Sequence, residues 1–275
     1  MLATVYLNGR FLDREKAALP LSDLSILRGY GAFDYFRYLG RRPRFLDDHI
    51  DRFFASAAGL HLDMPIGREA LVEVIQECID RNGIADGGIR TVITGGPAAD
   101  GYTPDDPSLM VLPYAFSPPP RQLYREGCSV MLHDYERQLP RVKTIDYIEG
   151  IRIQPLLREA RADYPLYVDR DDRVRESDRS NFMIVRNGSL ITPVDDILLG
   201  ITRKHVLLLA RQLNIPVEER SVSRRELLAA DEALICSSVK GVLPITHIDG
   251  KRVSGGDAGA ITRRLMTAWP EYCRQ

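Results

Sequence analysis

The chain is defined first by what it has little of. No run of about 18 apolar residues occurs in its 275 positions, and the N-terminal Met-Leu-Ala-Thr-Val-Tyr-Leu-Asn-Gly-Arg lacks a basic stretch leading into a long apolar one, so a soluble, cytoplasmic protein without membrane association is expected. Neither sign of charge is in excess. With 37 basic against 38 acidic side chains, a nucleic-acid surface built on bulk positive charge is not expected. Only Cys78, Cys128, Cys236 and Cys273 carry thiols, too far apart for a zinc knuckle or a redox motif, and they read as reduced structural residues. There is no internal repeat, no low-complexity tract, and no glycine-rich turn of the dinucleotide or P-loop pattern. Lysine is scarce too, most positive charge being carried by arginine. Each lysine that is retained stands out, because a guanidinium cannot form a Schiff base.

What is present suffices for an enzyme-sized fold, since 44% hydrophobic residues can bury one large core or two moderate ones. Ser117-Pro118-Pro119-Pro120 interrupts both helix and sheet, and divides the chain into 1–116, a linker at 117–122, and 123–275. Before the prolines, Val5 to Phe11 reads as a hairpin around Asn8-Gly9, and Phe33–Tyr38 and Ile89–Thr94 read as strands. Ile50, Phe53, Phe54, Ala57 and Leu60 share one helical face, and a second helix through Leu71, Val74, Ile75 and Ile79 ends near Asn82-Gly83. After the prolines, strands are expected over Cys128–Tyr135, Leu166–Asp169, Asn181–Arg186 and Leu234–Ser237. Helices are expected near 147–162, 202–213, 224–229 and 258–273. The fold class is α+β, with a small N-terminal domain and a larger barrel-like one.

Five segments carry chemistry. Lys143, in Arg-Val-Lys-Thr-Ile-Asp-Tyr, is flanked by Val142 and Ile145, where a partly dry pocket would make its amine nucleophilic; an exposed strand end is the plainer alternative. Glu176 follows 33 residues later, either as a solvated turn acid or as a carboxylate for a pyridine nitrogen. Gly200-Ile201-Thr202-Arg203 opens a helix whose N-terminus suits a phosphate as well as it suits a simple cap. Ser237-Ser238 precedes Gly241 and can expose donors to an anion or form an ordinary turn. Arg52, on the first helix, could add the charge these neutral loops lack or lie on the surface. Together they are the components of a pyridoxal 5'-phosphate site.

The ordered set resembles the class IV aminotransferases, the fold-type IV pyridoxal-phosphate enzymes. The likeness runs from the Asn8-Gly9 hairpin through Asp48-His49-Ile50-Asp51-Arg52, Lys143, Glu176-Ser177-Asp178-Arg179-Ser180-Asn181, Gly200-Ile201-Thr202-Arg203 and Ser237-Ser238 to Pro244 and Ile248-Asp249-Gly250. It implies a small α+β domain and a larger pseudo-barrel domain with the cofactor between them. Lys143 would hold pyridoxal 5'-phosphate as an internal aldimine and move the proton, and Glu176 would pair with the pyridine nitrogen. Arg52, Ile201, Thr202 and Ser238 would bind the phosphate. A homodimer in which a loop of the neighbouring subunit closes the site is also implied.

The wording is most similar to the D-amino acid transaminases, as in His49-Ile50-Asp51-Arg52 followed by Ala55-Ser56-Ala57, with two departures. Where such enzymes place an arginine and a histidine after Thr94-Gly95-Gly96, this chain reads Pro97-Ala98-Ala99-Asp100-Gly101-Tyr102, and Phe33 stands where a tyrosine is expected. A buried carboxylate needs a cationic partner, and Arg28, Arg90 and Arg179 are the candidates to rebuild that trap. The expected activity is transamination between D-amino acids and 2-oxo acids, of the D-glutamate/2-oxoglutarate or D-alanine/pyruvate type, in two half-reactions. Branched-chain L-amino acid transamination, aminodeoxychorismate lyase, a primary-amine transaminase and a non-catalytic carrier stand as alternatives.

Overall fold

Asn8 and Gly9 both take positive φ, 44° and 83°, so the chain reverses in two residues between β1 (Thr4–Leu7) and β2 (Arg10–Asp13). This hairpin opens a computed structural model that describes residues 1–274, Ser254 by its backbone alone. The chain forms two units, Met1–Ser117 with Val142–Asp146, and Pro118–Arg141 with the chain from Tyr147 onward. Residues 142–146, well past the prolines, thus belong to the first unit.

The first unit continues with α1 (Leu24–Arg28), β3 (Gly31–Leu39), β4 (Arg42–Pro43), α2 (Leu46–Gly59), α3 (Arg68–Asn82), β5 (Gly87–Thr94) and β6 (Ser108–Ala115). Its antiparallel sheet has the order β2-β1-β6-β5-β3-β4. Alternation along β3 sends Ala32, Phe36 and Tyr38 into a core with Ile50 and Phe53 of α2 and Leu71, Ile75 and Ile79 of α3. Gly83, at φ 68°, ends α3 where a left-handed residue is needed. The opposite face of the sheet carries Phe33 and Tyr35, the latter directly opposite Arg90 on β5.

The second unit comprises α4 (Arg121–Glu126), β7 (Cys128–Asp134), α5 (Ile148–Arg152), α6 (Gln154–Glu159), β8 (Tyr164–Val168), β9 (Arg173–Val174), β10 (Asn181–Arg186), β11 (Ser189–Thr192), α7 (Ile201–Gln212), β12 (Val217–Glu219), β13 (Val222–Ser223), α8 (Arg224–Leu228), β14 (Glu232–Ser237), β15 (Gly241–Ile248), β16 (Lys251–Arg252) and α9 (Ala260–Tyr272). The strands form one sheet in the order β12-β11-β10-β14-β15-β7-β8-β9-β13, with β16 paired to β15. Both faces of β10 are buried: Phe182 and Ile184 meet Ile235, Leu243 and Ile245, while Met183 and Val185 meet Val206, Leu207 and Ala210 of α7 and Leu265 of α9.

Several short elements were not expected, and one expected helix and one longer strand differ most. The helix expected near 147–162 is two short ones, broken at Ile153 just before Pro155, a residue suited to a first helical turn and not to an interior. Strand β15 was not among the expected strands, and Pro244 sits inside it. Its ladder with β7 starts at Ile245, one residue beyond, so the missing N–H costs no bond there. Among the described residues no helix is long and apolar enough to cross a membrane.

Candidate active site

Lys143 is held by its backbone. The segment 142–146 lies along the edge of β3, with Phe33 donating its N–H to the Lys143 carbonyl at 2.9 Å and Ile145 donating to the Gly31 carbonyl at 3.0 Å. The Lys143 N–H donates to the hydroxyl of buried Ser56 on α2 at 3.2 Å. Val142 packs into the first core against Gly59, where an added Cβ would come within 2.8 Å of the valine methyl. The half-buried side chain puts Nζ 4.6 Å from the centroid of the Phe33 ring. The guanidinium of Arg90 lies 5.2 Å from the same ring and 5.6 Å from that of Tyr114.

On the core face of β3, the register that buries Ala32 and Phe36 also buries Asp34, and a carboxylate there requires charged donors. Arg52 supplies a fork, Nε to Oδ2 and Nη2 to Oδ1, both at 2.8 Å, and His49 Nδ1 lies 2.7 Å from Oδ1. Burial opposes the charge on Asp34, but Arg52 and His49 outweigh it and hold the carboxyl below its ordinary range. Burial lowers His49 more than Asp34 raises it. Arg52 is therefore not the surface arginine that helix position alone allows; Nε and Nη2 are committed to Asp34.

In the second unit, Ser177–Ser180 closes a tight turn, with Ser177 donating to the Ser180 carbonyl at 2.8 Å, and this turn presents Glu176 and Asn181. Glu176 is 5% exposed. Its carboxylate accepts from Arg137 Nη1 at 2.9 Å, from the Leu198 N–H at 3.2 Å and from Asn181 Nδ2 at 3.3 Å. Burial pushes the neighbouring Tyr147 phenol up to about 12, against the pull of Arg137. Asn181 also donates to the Leu198 carbonyl at 2.8 Å and pairs across the ladder with Cys236, next to Ser237. It thereby touches both candidate phosphate segments, because a Cβ on Gly200 would fall 1.9 Å from Asn181 Oδ1. Gly200 leaves the N-terminus of α7 without a side-chain cap, and no acid occupies the first turn. Ile201 and Thr202 are buried there, and Ser238 lies in the turn that follows β14.

The remaining arginines divide. Arg90 reaches the ring that Lys143 also touches. Arg28 is exposed at the end of α1, donating to the Leu27 carbonyl. Arg179 is exposed and paired with Asp178 at 3.0 Å. Asp100 takes bonds from the N–H groups of Tyr102 and Thr103 and from the Thr103 hydroxyl, which together hold it at about 2, so it serves its own loop. Sequence reasoning did not single out Arg137, for which there is no local signal. Nor did it use Asp34, whose place in the β3 alternation was a signal, or Lys240, whose rarity was another.

Within the second unit, Glu176 is a buried carboxylate bridged to Arg137, and α7 opens without a side-chain cap or an acid, at a glycine where any side chain would strike Asn181; within the first unit, Lys143 is anchored by its backbone. A carboxylate, a helix N-terminus and an amine are the kinds of group a pyridoxal-phosphate enzyme of mixed α+β fold uses. Residues 31–248 match the family model described as Amino-transferase class IV, and the chain belongs to that family. Its cofactor is pyridoxal 5'-phosphate. A D-alanine aminotransferase of Bacillus licheniformis is 31% identical over 96% of this chain and 95% of its own length. A protein of Methanocaldococcus jannaschii with a provisional branched-chain-amino-acid aminotransferase name is also 31% identical, over 95% of this chain and 93% of that one. Among solved structures, a branched-chain amino acid aminotransferase of the organism abbreviated T.th., with pyridoxamine 5'-phosphate, superposes with a TM-score of 0.93 over 100% of this chain and 95% of that one, at 24% identity, a likeness of fold. A branched-chain aminotransferase of Thermoproteus uzoniensis with norvaline is 29% identical, with a TM-score of 0.88 over 98% and 94%. The fold is fold-type IV.

Proposed function

We propose that this aminotransferase transfers amino groups between D-amino acids and 2-oxo acids, with dicarboxylic donors of the D-glutamate type preferred and D-alanine accepted. The observation that carries the preference for acids is the placement of the Arg90 guanidinium on the same Phe33 ring that Lys143 touches. The D hand rests on the D-alanine aminotransferase relatives. Bound pyridoxal phosphate supplies an aldehyde carbon for the substrate amine and a ring that accepts the electron pair left when the Cα–H bond breaks. Lys143 is the base that takes the Cα proton and returns it to the cofactor C4' carbon. Glu176 receives the pyridinium N–H, and Arg137 fixes the orientation of its carboxylate. Ile201, Thr202 and Ser238 would bind the phosphate, and Arg52, whose Nε and Nη2 hold Asp34, would add its charge. Arg28 and Arg179 are reserve partners for a second carboxylate. A homodimer completes the site, and the cytoplasm is its place of work.

The test is the absorbance of the holoenzyme on separate addition of D-glutamate, D-alanine, L-leucine and L-glutamate. Loss of the aldehyde-form band with the D-substrates, reversed by 2-oxoglutarate, supports the proposal. Conversion by L-leucine and L-glutamate alone transfers the assignment to the branched-chain reading, which the M. jannaschii relative favours.

A further inference from the structure

Lys240 is a buried amine that none of these roles uses. It is one of five lysines in the chain, 7% exposed, two positions past Ser238. Nζ donates to the Ser180 hydroxyl at 2.9 Å and lies 4.3 Å from the Tyr164 ring centroid. Its N–H donates to Ser237 Oγ at 3.2 Å, and its carbonyl accepts from the Tyr124 hydroxyl at 2.7 Å. The main chain thus fixes the turn after β14, while the side chain reaches back to the turn that presents Glu176. No carboxylate forms an ion pair with Lys240 among the described residues: Asp178, the acid that faces it, is paired with Arg179 and accepts from the Ser177 hydroxyl. Burial pulls the ammonium down to about 8, in surroundings that also include Arg179, Cys128 and Cys236. A cation kept in a dry site with one neutral hydrogen-bond partner is costly unless an anion comes to meet it. The side chains of Ile201, Thr202 and Ser238 bring no charge, and the charge of Arg52 is shared with Asp34.

We propose that Lys240 is the electrostatic anchor of the cofactor phosphate in the second unit: it adds a buried positive charge behind the Ser238 turn and fastens that turn to the Glu176 turn through Ser180. The inference rests on the reading that Thr202 and Ser238 contact the phosphate. At an effective dielectric of about 20, a charge within roughly 8 Å of an anion contributes enough for about a tenfold or larger change in affinity.

The experiment titrates the apo-protein with pyridoxal 5'-phosphate and separately with pyridoxal, following protein fluorescence. The two ligands share the aldehyde and the ring, so the ratio of their affinities isolates the phosphate. Lys240→Met is expected to lower that ratio about tenfold while pyridoxal binds as before, and Lys240→Arg is expected to restore most of it. If Lys240→Met weakens both ligands equally, or neither, the anchor role is overturned. Lys240→Gln provides the same comparison should the methionine variant not fold. Thr202→Ala and Ser238→Ala separate the premises. If they lower the ratio and Lys240→Met does not, Lys240 alone is misassigned. If neither lowers it, the phosphate assignment fails and the role of Lys240 with it.

Discussion

Phe33 serves two cations at once, with Lys143 Nζ 4.6 Å and the Arg90 guanidinium 5.2 Å from its centroid. Two like charges beside one ring repel, and a carboxylate arriving there relieves the repulsion. Arg90→Met is therefore expected to raise KM for D-glutamate about tenfold more than KM for D-alanine, with little change in kcat. Steady-state kinetics on the two donors checks this. An equal effect on both would remove Arg90 from selection of the distal carboxylate.

Gly200→Ala places a methyl group 1.9 Å from Oδ1 of Asn181, an amide held by its bonds to Glu176 and to the Leu198 carbonyl. Overpacking of this kind costs about 1–3 kcal/mol. Since Asn181 also holds Glu176 and the Leu198 carbonyl, the substitution is expected to weaken cofactor binding beyond its effect on folding. Cofactor affinity measured beside the unfolding midpoint separates the two.

Asp34 gives an acid dependence with a definite sign. Its folded value lies below the ordinary 3.8, so the stabilisation it brings is fully present above that value and is lost as the pH falls from there toward the folded value. Asp34→Asn should flatten that part of the acid unfolding profile. It should also destabilise the protein at neutral pH by about 3–5 kcal/mol, because Arg52 loses its buried counter-charge. Chemical denaturation between pH 3 and pH 7 provides the measurement, those limits being chosen as roughly one unit below and three above the ordinary carboxylate range.

Lys240 acts in the opposite direction. Its value falls from 10.5 to about 8 on folding, so between those limits the unfolded chain binds more protons and stability rises with pH. The cost of burying the charge is complete below about 8. Apo Lys240→Met should therefore be more stable than wild type at neutral pH, by on the order of 2–3 kcal/mol. The difference between the two proteins should shrink as the pH climbs toward 10.5. Comparing variant with wild type cancels Cys78 and Tyr167, whose raised values work against stability at high pH and whose surroundings do not include Lys240.

Local patterns were readable from the chain where one segment suffices. The Asn8-Gly9 reversal, the helix opened by Gly200, and the end of α3 at Gly83 each depend on backbone preferences of two or three residues. The doubly buried β10 shows as an unbroken apolar run. What was not legible depends on distant partners. Nothing near Arg137 announces that it meets Glu176, 39 positions later. Strand β15 was not expected, and it takes its place between β14 and β7, distant segments whose pairing no local pattern announces. The role of Arg52 depends on Asp34, 18 positions earlier, on a strand whose alternation offered the clue without the partner.

The attachment of position 143 through main-chain bonds to Phe33 and Ser56 has a practical consequence. Because the anchorage does not pass through the side chain, Lys143→Ala should fold as the wild type does while losing roughly a thousandfold or more in turnover. The truncation also leaves room the length of an alkylamine beside Phe33. Small diffusible amines such as methylamine or ethylamine should therefore restore part of the proton transfer in proportion to their concentration and basicity, turning a residue of the chain into a reagent that can be varied from outside.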